Sequence, residues 1–158
     1  MKGVKNMLSY DAEKAARVWE RVHAGAETIP QGQDLPALIA AEWTAAAIYL
    51  RLSRHFQGKD AATLRRISEE EKAHEACLRG IYTLLTGEKA AISAPVAGQE
   101  SLVATLRRCY QREIRALSAY EQRSNDPEYG PVFAKLAAQE REHCCSVLAL
   151  LGKLQDKK

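Results

Sequence analysis

Cysteine is scarce in this chain and nowhere suitably paired. Cys77, Cys109, Cys144 and Cys145 include no Cys-x-x-Cys spacing, which excludes a zinc ribbon or a four-cysteine iron site. All four fall within helical patterns and read as reduced, mostly buried thiols of a cytoplasmic protein. No run of about 18 uncharged apolar residues occurs, so no membrane span is expected. Residues 1–12 lack an apolar run of the signal-peptide kind. Basic residues are scattered, and a formal charge of +3 gives no nucleic-acid footprint. Aromatic residues make up only 6%. The abundance of Ala, Leu, Glu, Arg and Lys favours helix instead.

At 158 residues the chain is most simply one domain with a core of its own. Residues 10–24 predict a short amphipathic helix with Ala15, Val18, Trp19 and Val22 on one side, broken by Gly25 and Pro30-Gln-Gly32. Residues 1–33 are thus expected to form an N-terminal extension and residues 34–158 the main domain. Asp34 before Pro36 opens a helix expected to run to about Gln57 and to end at Gly58. A second helix is expected from Asp60 to about Thr86, ended by Gly87. The segment 87–99 is Gly- and Pro-containing and reads as extended. A third helix is predicted over about Glu100 to Ser124. Gly130-Pro131 opens a fourth, running to about Lys153.

Two copies of one motif, Glu71-Lys-Ala-His74 and Glu140-Arg-Glu-His143, stand 69 residues apart. Each is preceded by a helical stretch carrying one more carboxylate, Glu42 and Glu113, which are 71 residues apart. Tyr49 and Tyr120 follow those carboxylates at the same offset of seven. With 15 Glu and 4 His, random placement gives about 0.4 Glu-x-x-His matches, and the chain has three. The third, Glu20-Arg-Val-His23, lies outside the repeat and reads as surface or packing. Residues three apart share a helix face, so one helix can offer a carboxylate and an imidazole to the same ions. One carboxylate from each of two helices, with Glu-x-x-His from each of two others, is the donor set of a dinuclear carboxylate site in a four-helix bundle.

The expected ligands are therefore Glu42, Glu71, His74, Glu113, Glu140 and His143. Glu42 lies in a segment too apolar for a solvated face, where a lone carboxylate is expensive to bury. Glu121 competes with Glu113 on the third helix, but the repeat puts Glu121 opposite Leu50. Four carboxylates and two imidazoles suit iron or manganese and balance the charge of two divalent ions. Tyr49 and Tyr120 either hydrogen-bond to ligand carboxylates across the bundle, as an outer layer of the site, or are plain aromatic core. His55 has no such partner and is expected at an exposed helix end.

Short links within each half make each an antiparallel helix hairpin. The 13 residues of 87–99 can reach about 43 Å at about 3.3 Å per residue. That is enough to run the length of a helix hairpin before the next helix begins. The fold expected is all-α, a ferritin-like four-helix bundle of two hairpins joined by a long crossover. The same linker would also fit a domain-swapped dimer.

At Glu42, Glu71-x-x-His74, Glu113, Glu140-x-x-His143 and the two tyrosines, the chain resembles the rubrerythrin branch of the ferritin-like superfamily over roughly residues 35–153. The resemblance implies a cofactor of two iron ions and chemistry with hydrogen peroxide or O2. Electrons would come from a separate donor protein such as a rubredoxin, since this chain has no rubredoxin-like cysteine set. Peroxidase-type members usually carry an extra carboxylate one turn after the third-helix Glu, and here that position is Ala116. A cytoplasmic oxidoreductase for oxidative-stress defence, working as a homodimer, is the leading expectation. A ferroxidase or iron-handling protein and a metal-free helical interaction protein are the alternatives.

Overall fold

The computed structural model describes residues 35–155 apart from Ala97. The expected helix at residues 10–24, with Trp19 and Glu20-Arg-Val-His23, lies outside the described residues, as does the division at residue 33. Four α-helices make up the described chain: α1 (Leu35–Leu52), α2 (Gly58–Thr86), α3 (Leu102–Arg123) and α4 (Gly130–Gln155). No strand occurs among the described residues. The fold is the expected all-α four-helix bundle.

Each helix end has a local cause. Gly87 ends α2 in the left-handed conformation (φ 73°), and its N–H bonds to the Thr83 carbonyl at 2.8 Å, as a C-terminal glycine does. The Ser101 hydroxyl accepts from the Ala104 N–H at 3.2 Å and opens α3. Between α3 and α4, Asp126 Oδ1 accepts from the N–H groups of Glu128 and Tyr129, each at 2.8 Å. A Cβ at Gly130 would run into the backbone carbonyl of Ser124, so this tight turn requires glycine.

The first link departs from expectation. α1 stops at Leu52, a single 3-10 turn covers Ser53–His55, and Phe56 is extended (φ −118°, ψ 168°). Gly58 does not end α1; it is the first residue of α2, with φ 54°. The Ser53 hydroxyl donates to the Leu50 carbonyl at 2.8 Å, a local bond that competes with continued helix.

α1 packs along α2 and α3 along α4, with narrower contact between the two hairpins. The connection after Gly87 passes from one end of the bundle to the other. Near its start Arg79 Nη1 bonds to the Ala90 carbonyl at 3.1 Å, and near its finish Arg51 Nη1 bonds to the Gly98 carbonyl at 3.0 Å. Apolar side chains gather in two clusters. One holds Tyr49, Leu52, Leu64, Ile67, Leu106, Val147 and Leu150. The other holds Leu35, Ile39, Leu78, Ile81, Tyr120, Phe133 and Leu136. The buried polar residues belong to neither cluster.

Residues Leu35–His55, at mean hydropathy 1.2, are long and apolar enough by composition to cross a membrane. The segment nonetheless carries Glu42, Arg51 and Arg54, so it holds no run of about 18 uncharged apolar residues. A core helix meets the same criterion. Here Leu35, Ile39, Glu42, Ala45, Ala46, Tyr49 and Leu52 of α1 are buried against the other helices.

Candidate metal centre

Six side chains from four helices meet in the middle of the bundle. α1 supplies Glu42, α2 supplies Glu71 and His74, α3 supplies Glu113, and α4 supplies Glu140 and His143. All are at most 3% exposed. Their donor atoms fall into two groups, each with all members within 4.8 Å of one another: Glu42, Glu71, His74 and Glu140, and Glu71, Glu113, Glu140 and His143. Glu71 and Glu140 belong to both. All six sequence-predicted candidates are thus brought together, and the rival Glu121 is not. Its side chain is 51% exposed and pairs with Arg141. His55 is exposed, as expected.

Both histidines turn Nδ1 inward. His74 Nδ1 lies 2.8 Å from Glu140 Oε1, 3.3 Å from Glu71 Oε2 and 3.9 Å from Glu42 Oε2. His143 Nδ1 lies 3.0 Å from Glu71 Oε1, 3.1 Å from Glu140 Oε2 and 3.6 Å from Glu113 Oε2. The rings stack with centroids 5.8 Å apart. Proximity here is not the same as bonding. Both oxygens of Glu71, Glu140 Oε1 and His74 Nδ1 are buried without an aligned hydrogen-bond partner. Such atoms are costly in a folded core, and a cation placed among them would satisfy all four.

Tyr49 and Tyr120 are fully buried and bond across the bundle. The Tyr49 hydroxyl donates to Glu113 Oε1, and the Tyr120 hydroxyl donates to Glu42 Oε1. Each tyrosine thus serves the carboxylate of the opposite hairpin. Of the two readings open at the sequence level, the hydrogen-bonding one describes the structure, although both rings also pack in the apolar clusters.

Two participants were missed in the sequence. His143 Nε2 lies 2.8 Å from Glu70 Oε2, and His74 Nε2 lies 3.2 Å from Gln139 Oε1. Glu70 and Gln139 directly precede Glu71 and Glu140 at equivalent positions of the repeat, but only the fold sets a histidine against each. The four cysteines are free thiols, but only Cys109 and Cys144 are buried. Cys77 is intermediate and Cys145 exposed, so "mostly buried" holds for half of them.

Protons are shared unevenly among the groups of the metal-free cluster. Burial, then contacts with Glu71, push the Glu42 carboxyl well above its usual range. Burial likewise lifts Glu113, to about 8; His143 opposes the rise and Glu71 adds to it. Burial resists ionisation of Glu71 and Glu140 too. For Glu71 the contacts with Glu42, His143 and His74 win, and for Glu140 those with His143 and His74, so both stay below the usual range. Burial would lower the histidines, but Glu140 and Glu71 raise His74 to about 9. Glu113, Glu140 and Glu71 raise His143 strongly. In the metal-free cluster these shifts favour protons on Glu42, Glu113 and the two imidazoles and charge on Glu71 and Glu140. Two divalent cations would balance the charge of the four carboxylates. The donor set fits a dinuclear centre in atoms and in charge.

No curated protein matches the chain significantly. The 158 residues hold no Cys-x-x-Cys pair. The sequence model of the rubrerythrin family matches residues 35–151, a span that contains all six clustered donors and both tyrosines, and the chain belongs to the rubrerythrin family.

Proposed function

We propose that the protein is a di-iron oxidoreductase that reduces hydrogen peroxide or O2, with manganese also fitting the donor set. The observation that carries this reading is the buried cluster of four carboxylates and two imidazoles, in which both Glu71 oxygens, Glu140 Oε1 and His74 Nδ1 have no hydrogen-bond partner. Glu71 and Glu140, shared by both groups, would bridge the ions. Glu42 with His74 and Glu113 with His143 would each complete one position. When bound, two Fe2+ ions supply one electron each, the two that reduction of one peroxide to two waters consumes along with two protons.

The protein's own residues do the rest. The Tyr49 and Tyr120 hydroxyls hold one oxygen of Glu113 and of Glu42, leaving the other oxygen of each to face the cluster. Glu70 and Gln139 accept from Nε2 of the histidines, which fixes the tautomer with the Nδ1 lone pair turned inward. Two apolar clusters flank the polar layer and exclude bulk water from it. A separate donor protein such as a rubredoxin would return the electrons. Free thiols suit a cytoplasmic setting and a role in oxidative-stress defence. The reading includes a homodimer.

Ala116 favours a second reading within the same site. Where peroxidase-type members have an extra carboxylate, this residue offers none, and an iron-oxidising role without peroxide turnover needs none. The deciding experiment loads anaerobic protein with two equivalents of Fe2+ and follows near-ultraviolet charge-transfer bands in a stopped-flow instrument. Oxidation by peroxide, with turnover when a reductant is added, supports the oxidoreductase. Oxidation by O2 alone, without turnover, supports iron handling, and no oxidation by either overturns both. Paired substitution Glu71→Gln and Glu140→Gln is expected to abolish uptake of two ions, measured as metal per chain.

A further inference from the structure

The two halves of the cluster match donor for donor, but the residues behind the histidines do not. Glu70 and Gln139 occupy equivalent positions of the 69-residue repeat. Glu70 Oε2 sits 2.8 Å from His143 Nε2, and Gln139 Oε1 sits 3.2 Å from His74 Nε2. One histidine is backed by a carboxylate and the other by an amide. We infer that this difference makes the two metal positions unequal, with Glu70 as the positioning residue that makes the His143 position bind its ion more tightly and fill first.

The inference rests on the metal-centre reading above. An ion bound at Nδ1 leaves the imidazole proton on Nε2, which must donate outward. An anionic acceptor takes that bond more strongly than a neutral amide. It also fixes the ring and raises its basicity as a ligand. Glu70 is itself held in place, because Arg66, one turn earlier, bonds to it at 2.7 Å. The repeat places Lys135 at the position matching Arg66, but the residue one turn after it is a neutral Gln139. The first half thus has an anchored chain of Arg66, Glu70 and His143 that the second half lacks. Glu70 is 25% exposed at its side chain, while both histidines are at most 2% exposed. The charge therefore stands at the edge of the buried layer and does not enter it.

Two ions that share carboxylates bind unequally in any case, so the test isolates each position. Glu42→Gln disables the His74 position and Glu113→Gln the His143 position. Each variant is titrated anaerobically with Co2+, followed by visible absorption and calorimetry, alongside the wild-type chain. The first Co2+ is expected to bind Glu42→Gln about tenfold or more tightly than Glu113→Gln. Adding Glu70→Gln to the former should erase that advantage, and adding Gln139→Glu to the latter should supply it. A gain from Gln139→Glu is something a merely structural role would not produce. Equal affinities in the two single variants, or no effect of Glu70→Gln, overturn the inference while wild-type uptake of two ions leaves the metal centre standing. A wild-type chain that takes up neither Co2+ nor Fe2+ overturns both.

Discussion

Tyr49 and Glu113 illustrate what single residues contribute. The hydroxyl is fully buried, and its acceptor is a carboxyl raised to about 8. Tyr49→Phe removes the donor and leaves a buried oxygen unpaired, at an expected cost of about 1–3 kcal/mol. Urea unfolding of the metal-free variant measures this. The six donors remain, so two ions should still bind, and a variant that unfolds like wild type would show the bond to be idle. The matched offsets of the tyrosines and a possible bond across the bundle were readable in the sequence, whereas the particular carboxylate each tyrosine reaches was not. Which hairpin's carboxylate a tyrosine reaches depends on how the hairpins face each other, and periodicity along one helix carries no such information. Glu70 escaped notice for a different reason. A Glu beside a Glu on a charged helix looks like any solvated residue until the fold sets a histidine against it.

Among elements, the helices themselves were legible and their ends only partly so. Gly87 and Ser101 act at α2 and α3 as local chemistry dictates. Gly58 did not end α1, because the chain had already left the helix through the turn Ser53–His55, and the glycine's positive φ serves to enter α2. A glycine between two helices suits either end, and only the packed structure decides which. Gly130 is the more constrained case, since any Cβ meets the Ser124 carbonyl. Gly130→Ala should therefore destabilise the protein by about 1–3 kcal/mol, as overpacking does. Thermal melting should fall while the metal-to-protein ratio of the folded fraction stays unchanged. A melting point equal to wild type would mean that the turn relaxes freely.

At the scale of the whole molecule, stability and metal binding share the same protons. In the metal-free protein Glu113 releases its proton at about 8 and His74 at about 9, above their ordinary values of 4.5 and 6.5. Between those limits the native state binds more protons than the unfolded chain, so stability falls as pH rises. Glu71 and Glu140 act oppositely, and their contribution is lost in acid as pH drops below about 4.5. Metal ions displace protons from all the raised groups, so their affinity grows with pH. Chelator-treated protein should accordingly melt at progressively lower temperature from about pH 6 to 9, and Mn2+-loaded protein should gain stability relative to it across the same range. Parallel curves with and without Mn2+ would show that the cluster does not govern stability.

Each cluster group takes three donors from one hairpin and its fourth from the other. One hairpin therefore encodes half a centre, and a hairpin paired with its own copy would offer the full set of six. The arrangement has the form that gene duplication and fusion leave behind. Fusion does more than tether the copies, because it lets one change without the other. A homodimer of identical hairpins would carry the same residue behind both histidines, and only a chain that spells the two halves separately can place Glu at 70 and Gln at 139.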